Sequence, residues 1–176
     1  MVWIILIIFV VIVLILSNII IKARNKVLQA RSGIDVYLNQ RFDLIPNLVE
    51  CVKSYSAHEK AIFENVAALR ASYINNQKKP LKEAEQLNNS LTQLLATAED
   101  NPNLKADSQY LKLQKTLTKL ESQLQAARRI YNVEVTNYNT TIETIPINII
   151  AKIFGFKEEG LFVIEDYKKG NIDINI

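Results

Sequence analysis

Several things that this chain nearly lacks narrow its chemistry. It has one cysteine, Cys51, and one histidine, His58. A lone cysteine allows no disulfide framework and no thiolate zinc site, and it fits a reducing compartment. One histidine is too few for a di-iron carboxylate bundle, which needs Glu-x-x-His on each of two helices. A nucleophilic triad would have to join Cys51 to His58, near one helix face, but the sequence supplies neither a third member nor an oxyanion loop. His58 reads better as part of a helix junction, with His58 or Ser56 as a cap. Glycine and proline number four each, and no Gly-rich phosphate loop, zinc cluster or nucleophile elbow occurs. The formal net charge is only +3. No basic stripe with interleaved aromatics appears, so nucleic acid is not an expected partner. Nor is any cofactor expected, and the chain reads as non-enzymatic.

The sharpest absence is local. Residues 1–21, MVWIILIIFVVIVLILSNIII, carry no charge at all. Their length matches the roughly 20 apolar residues that span a hydrocarbon core of about 30 Å. Residues 2–16 are Ile, Leu, Val or Phe apart from Trp3, which sums to about −5 kcal/mol in favour of the bilayer on an insertion scale. A cleaved signal peptide would show a basic start, a shorter core and a small-residue cleavage site, and none is present. Lys22, Arg24, Lys26 and Arg31 follow before the first acid, Asp35. Basic flanks stay inside. The expectation is a single-pass inner (plasma) membrane protein with its N-terminus outside and residues 22–176 cytoplasmic, the bilayer being its first partner.

The rest is long enough for one domain with a real core. Residues 22–58 read as a helix leaving the membrane, with apolar steps at Val27, Ala30, Ile34, Leu38, Phe42, Ile45, Leu48, Val52 and Tyr55. Pro46 frees the carbonyl of Phe42, so the helix either kinks there or restarts with Asp43 as cap; the unbroken apolar phase favours the kink. A second helix, over 59–76, has Ile62, Val66, Leu69 and Tyr73 on one face. A turn from Asn75 to Pro80 leads to a third, over 81–99, with Leu81, Ala84, Leu87, Leu91, Leu94, Leu95 and Ala98 as its stripe; Asn101, Pro102 and Asn103 close it. The fourth starts near Asp107 or Ser108 and keeps its seam, from Tyr110 through Leu117, Leu124, Tyr131 and Tyr138 to Ile142, for about five heptads. Residues 145–154, IPINIIAKIF, form a short helix, apolar on most sides, that needs cover from the bundle end or the bilayer surface. Gly155 ends it as a C′ glycine. The remainder reads as an extended tail. The fold class is therefore all-α: a transmembrane helix (1–21), an antiparallel four-helix-type bundle (22–144), a short amphipathic helix (145–156) and a tail (157–176).

Four stretches carry a resemblance. RFDLIPNLVECVKSYSAHEK (Arg41 to Lys60), AEDNPNLKADSQYLKLQ (Ala98 to Gln114), AARRIYNVEVTNYN (Ala126 to Asn139) and IPINIIAKIFGF (Ile145 to Phe156) resemble, in this order, the bacterial LemA family. The resemblance implies a single-pass inner-membrane protein with a cytoplasmic helical bundle and no established enzymatic activity. Some relatives are implicated in membrane-compartment formation or envelope maintenance. Gly33 within a helical stretch departs from the family pattern, and the end beyond Phe156 is less family-like.

Polar residues beside the apolar seams are the candidate site: Arg31, Asp35, Arg41, Asp43, Asn47, Arg128, Arg129, Asn132 and Asn139. Tyr131–Asn132 and Tyr138–Asn139 repeat at seven residues, so each type falls on one face, with Asp35, Asp43 and Asn47 expected across the bundle. They form either a buried network that fixes helix register or a recognition patch for a partner or second protomer. The expected function is a membrane-anchored scaffold that forms a homo-oligomer and organises or recruits partners. The alternative is an adaptor or regulator of one membrane-protein partner, such as a protease or an envelope-stress component.

Overall fold

Helix follows helix in the computed structural model, which describes residues 1–55, 60–76, 81–99 and 101–162. The elements are α1 (Val2–Asp43), α2 (Ile45–Lys53), α3 (Lys60–Asn75), α4 (Leu81–Glu99), α5 (Pro102–Lys105), α6 (Ser108–Glu143) and α7 (Ile147–Phe154). No strand occurs among the described residues. The expected position of His58 and most of the tail lie outside them. The N-terminal helix is long and apolar enough to cross a membrane, and Val2 to Val11 leave their side chains largely uncovered.

The chain divides into two compact units, one of residues 1–31 with 127–176 and one of residues 32–126. In the second, Ile34, Leu38, Phe42, Ile45, Leu48 and Val52 are buried on α1 and α2, so the three–four stripe read from the sequence is the core face. The proline acts as its chemistry requires. α1 stops at Asp43, and α2 restarts at Ile45 with Pro46 in its first turn. The junction residue is Leu44, still right-handed helical (φ −81°, ψ −14°) and without a side-chain cap bond. The interruption is thus one residue deep, and Asp43 is not the cap. Tyr55, expected on the stripe, is 39% exposed, because α2 has already ended at Lys53.

On α3 the buried residues are Phe63, Val66 and Tyr73, so the inward face is centred on Phe63 and not on Ile62. α3 and α4 pack along each other, with Asn65 Nδ2 donating to Ser90 Oγ at 3.3 Å. The Asn101–Asn103 turn is itself a one-turn helix, α5. Asn101 Oδ1 accepts from the Asn103 and Leu104 amides, while Asn101 Nδ2 donates to the Tyr55 carbonyl. Asp107 caps α6, its Oδ1 accepting from the amides of Gln109 (2.7 Å) and Tyr110 (3.0 Å). Those bonds satisfy two of the donors that a helix start leaves orphaned.

In the first unit, Val27 and Ile20 of α1 are buried, as are Tyr131, Val135, Tyr138 and Ile142 of α6. A turn at residues 144–146 leads to α7, which Gly155 ends in the left-handed region (φ 72°, ψ 26°). A Cβ is strained at that φ, which is why glycine stands there. Phe156 N then donates to the Ala151 carbonyl at 2.9 Å, and the chain turns back toward α6.

Candidate functional site

The returning segment, residues 157–162, has no regular structure of its own. Its main chain is gripped by α6 instead. Asn139 Nδ2 donates to the Glu159 carbonyl (2.9 Å), and its Oδ1 accepts from the Glu159 amide (3.0 Å). Seven residues earlier, Asn132 does the same to Phe162, at 2.9 and 2.7 Å. Tyr138 Oη donates to the Lys157 carbonyl (3.0 Å) and Tyr131 Oη to that of Gly160 (3.2 Å). Each Tyr–Asn dipeptide therefore holds two residues, and a heptad of helix advances the grip by three residues of extended chain.

The arithmetic explains the spacing. Seven helical residues rise about 10.5 Å, and three residues of extended or polyproline-II chain cover roughly 9–10 Å. A threefold recurrence also returns the same side of a polyproline-II-like chain to the helix each time. Such a chain makes no hydrogen bonds within itself, so its amides need outside partners. A carboxamide is the side chain that satisfies both N–H and C=O of one residue. Phe162 is also touched through its side chain, its ring lying 4.7 Å from the Arg128 guanidinium, within cation–π range.

The two tyrosines must stay protonated to donate. Burial pushes the Tyr131 hydroxyl up first, Glu159 adds to this and Arg31 opposes it. Burial likewise raises Tyr138, against Arg24 and with Glu159. Their grip is complete below the ordinary tyrosine range and fails only as pH rises through the raised values.

Asp35, Arg41, Asp43 and Asn47 fall in the other unit and serve a different end. Arg41, buried, pairs with Glu121 of α6. Arg70 Nε donates to the Phe42 carbonyl at 3.0 Å, the group that Pro46 orphans, and its Nη2 reaches Asp43 at 3.4 Å. The Arg41–Phe42–Asp43 run thus ties the α1–α2 break to α3 and α6. Asn47 is exposed, and Asp35 acts on Tyr73 electrostatically. Where the sequence reading set Asp43 opposite the asparagines, Asn132 and Asn139 spend their amides on main chain and Asp43 spends its carboxylate on Arg70. Lys22, Arg24, Lys26, Arg31 and Arg129 are exposed.

Sequence reasoning placed Tyr131 with Tyr138 on one face and Asn132 with Asn139 on one face but missed their ligand, as it missed Arg70 and Glu121. The threefold-to-sevenfold match was the available signal, and it needs the tail's position to be read. Cys51 gains no activation. Partial burial and then Asp107 push its thiol up, away from thiolate. Among the described residues, no group of His, Cys, Asp or Glu converges as metal ligands do.

Two comparisons bear on this arrangement. A sequence profile described as the LemA family matches residues 30–175, a range that includes the clamp and the segment it holds. A relative from Metamycoplasma hominis, named Protein LemA, is 21% identical over 160 residues, covering 89% of this chain and 73% of its own length.

Proposed function

The chain belongs to the LemA family, and from that premise we propose that it is a non-enzymatic, membrane-anchored helical scaffold that assembles with copies of itself. It organises or recruits partners at the cytoplasmic face of the inner membrane. The observation that carries this reading is the clamp. Six hydrogen bonds from α6 side chains are spent on the main chain of an extended segment. A grip on main chain is nearly indifferent to side-chain identity. The same segment from another copy therefore fits it as well as the chain's own.

The uncharged 1–21 stretch and the basic residues behind it support the rest. They make α1 the anchor, with its N-terminus outside and the helices after it cytoplasmic. Those helices act as an antiparallel bundle of four-helix type whose outer faces are the contact surfaces. Anchoring confines the copies to a plane and raises their effective concentration without any new contact.

Light scattering on full-length protein extracted in detergent tests the proposal. The mass is expected to grow with concentration to multiples of 20.1 kDa. A strict monomer at every concentration overturns it. A specific crosslink to one other membrane protein, with no self-association, would instead establish an adaptor or regulator.

A further inference from the structure

One apolar surface is left over by everything above. α7 buries Ile150 and Ala151, yet Ile149, Ile153 and Phe154 are 57, 71 and 58% exposed, and Ile145 just before it is 78% exposed. On α7, Ile149 and Ile153 step by four and line one side, while Phe154 follows buried Ile150 by four and Ile145 precedes the helix. Single exposed isoleucines need no explanation; two side by side on a short helix, with exposed Ile145 and Phe154 at its ends, do.

The depth of this row can be read along α1. In the first unit, Arg24 acts electrostatically on the Tyr138 hydroxyl and Arg31 on that of Tyr131. A rise of seven on α1 is a fall of seven on α6, which is an antiparallel register. Val27 and Val135, and likewise Ile20 and Ile142, are all buried and stand at positions that the same register sets opposite each other. α6 ends at Glu143, level with Ile19. Beyond that level α6 has no residue left to cover α1. Even so, Val13, Leu16 and Ser17 are partly covered, whereas Leu6, Phe9 and Val10 are exposed. The turn and α7 follow α6 within the same compact unit, and the chain leaving α7 is held at Tyr138 through the Lys157 carbonyl. This connectivity sets α7 at the level of the last turns of the uncharged stretch.

We infer that α7 is an interfacial helix, seated in the leaflet next to the basic cluster with Ile145, Ile149, Ile153 and Phe154 in lipid. The inference rests on the reading of α1 as a membrane anchor, along which the depth is measured. Residues 13 to 21 cover about 12 Å of helix, so the middle of that interval lies roughly 6 Å inside the apolar stretch, within the 5–10 Å depth of interfacial helices. Exposed Lys152 and Lys157 reach back to phosphate oxygens while their stems stay with the apolar surface. The clamp holds the chain leaving α7 at Lys157 and Glu159, so the helix is fixed to α6. A single spanning helix leaves the unit it belongs to free to turn about the membrane normal. A second, off-axis contact removes that freedom for this unit.

Full-length protein in a Cys51→Ser background, reconstituted in phosphatidylcholine–phosphatidylglycerol vesicles, provides the test. Single cysteines from Ile153→Cys, Lys152→Cys and Ile8→Cys carry a polarity-sensitive fluorophore, and the vesicles carry lipids with a nitroxide placed shallow or deep. The Ile153→Cys label is expected to lose roughly half its emission to the shallow nitroxide, as befits an interfacial site. The Lys152→Cys label should lose little, and the Ile8→Cys label should be quenched by the deep nitroxide. An unquenched label at 153 beside a quenched one at 8 overturns the inference and leaves the anchor standing. A loss of quenching at both positions removes the anchor reading itself. A label at 153 that is shielded from water yet unquenched, and that becomes water-exposed on dilution to one copy per vesicle, also overturns the inference, because a second copy would then cover the row.

Discussion

Tyr73 sits where its chemistry is least welcome. Its side chain is wholly buried on α3, edge-on to Phe42 at 4.9 Å between ring centroids. Its hydroxyl has no hydrogen-bond partner, and burial, then Asp35, pushes its pKa up to about 12. A buried hydroxyl without a partner costs about 1–3 kcal/mol. Tyr73→Phe keeps the ring and removes that cost, so thermal melts should show an unchanged or higher Tm; a clear fall would reveal a partner for the oxygen. Asp107 is the opposite case, a charge placed where it is wanted. The Tyr110 amide, the Tyr55 hydroxyl at 3.0 Å and the Gln109 amide hold its carboxyl below the usual carboxylate range. A carboxyl lowered in the folded state contributes fully above its unfolded value, about 3.9, and loses that contribution as pH falls through the lowered folded value. The neutral cap in Asp107→Asn does not titrate. Its Tm deficit relative to the native chain should therefore be largest near neutral pH and shrink in acid.

At the scale of elements, α6 does two jobs with one heptad seam. Its buried side, Tyr110 to Ile142, packs; the Asn positions one residue on from Tyr131 and Tyr138 hold chain. Removing either asparagine side chain forfeits two hydrogen bonds, about 2 kcal/mol by ordinary net values. Asn132→Ala should expose the Phe162 amide and Asn139→Ala the Glu159 amide, each seen as faster hydrogen exchange at that residue. Asn137→Ala, at an exposed position, should move neither. Equal exchange in all three variants would mean that the segment is held by something else. The same contrast explains what could be read in advance. The seams, the break at Pro46, the Asp107 cap and the Gly155 stop depend on neighbours within a turn or two, so spacing and residue type suffice. Arg41 with Glu121, Arg70 with Phe42 and Asn132 with Phe162 join residues 80, 28 and 30 apart. The tail has no period of its own to announce a partner. The orphaned Phe42 carbonyl foretold a donor, but only the packing of α3 decides that it is Arg70.

For the whole molecule, the proposed anchoring in a membrane gives the other features their setting. The clamp, the core and the exposed row on α7 belong to a chain whose first 21 residues carry no charge and whose next ten hold four basic residues, Lys22, Arg24, Lys26 and Arg31, and no acidic one. On the positive-inside rule, that asymmetry supports the proposed orientation, with the helices after the span inside. Cys51 makes the point testable without adding a probe, because it is the sole thiol in the chain and is free and only partly buried. A membrane-impermeant maleimide added to spheroplasts should leave it unlabelled, and the same reagent after lysis should label it. The raised thiol pKa slows both reactions equally, since it lowers the thiolate fraction on either side of the membrane. The ratio between them therefore reports topology alone. Labelling in intact spheroplasts at the lysed-cell rate would put α2 outside and invert the orientation. Replacing Lys22, Arg24 and Lys26 together by Glu should move the ratio in that same direction, because it removes most of the basic excess on which the proposed orientation rests.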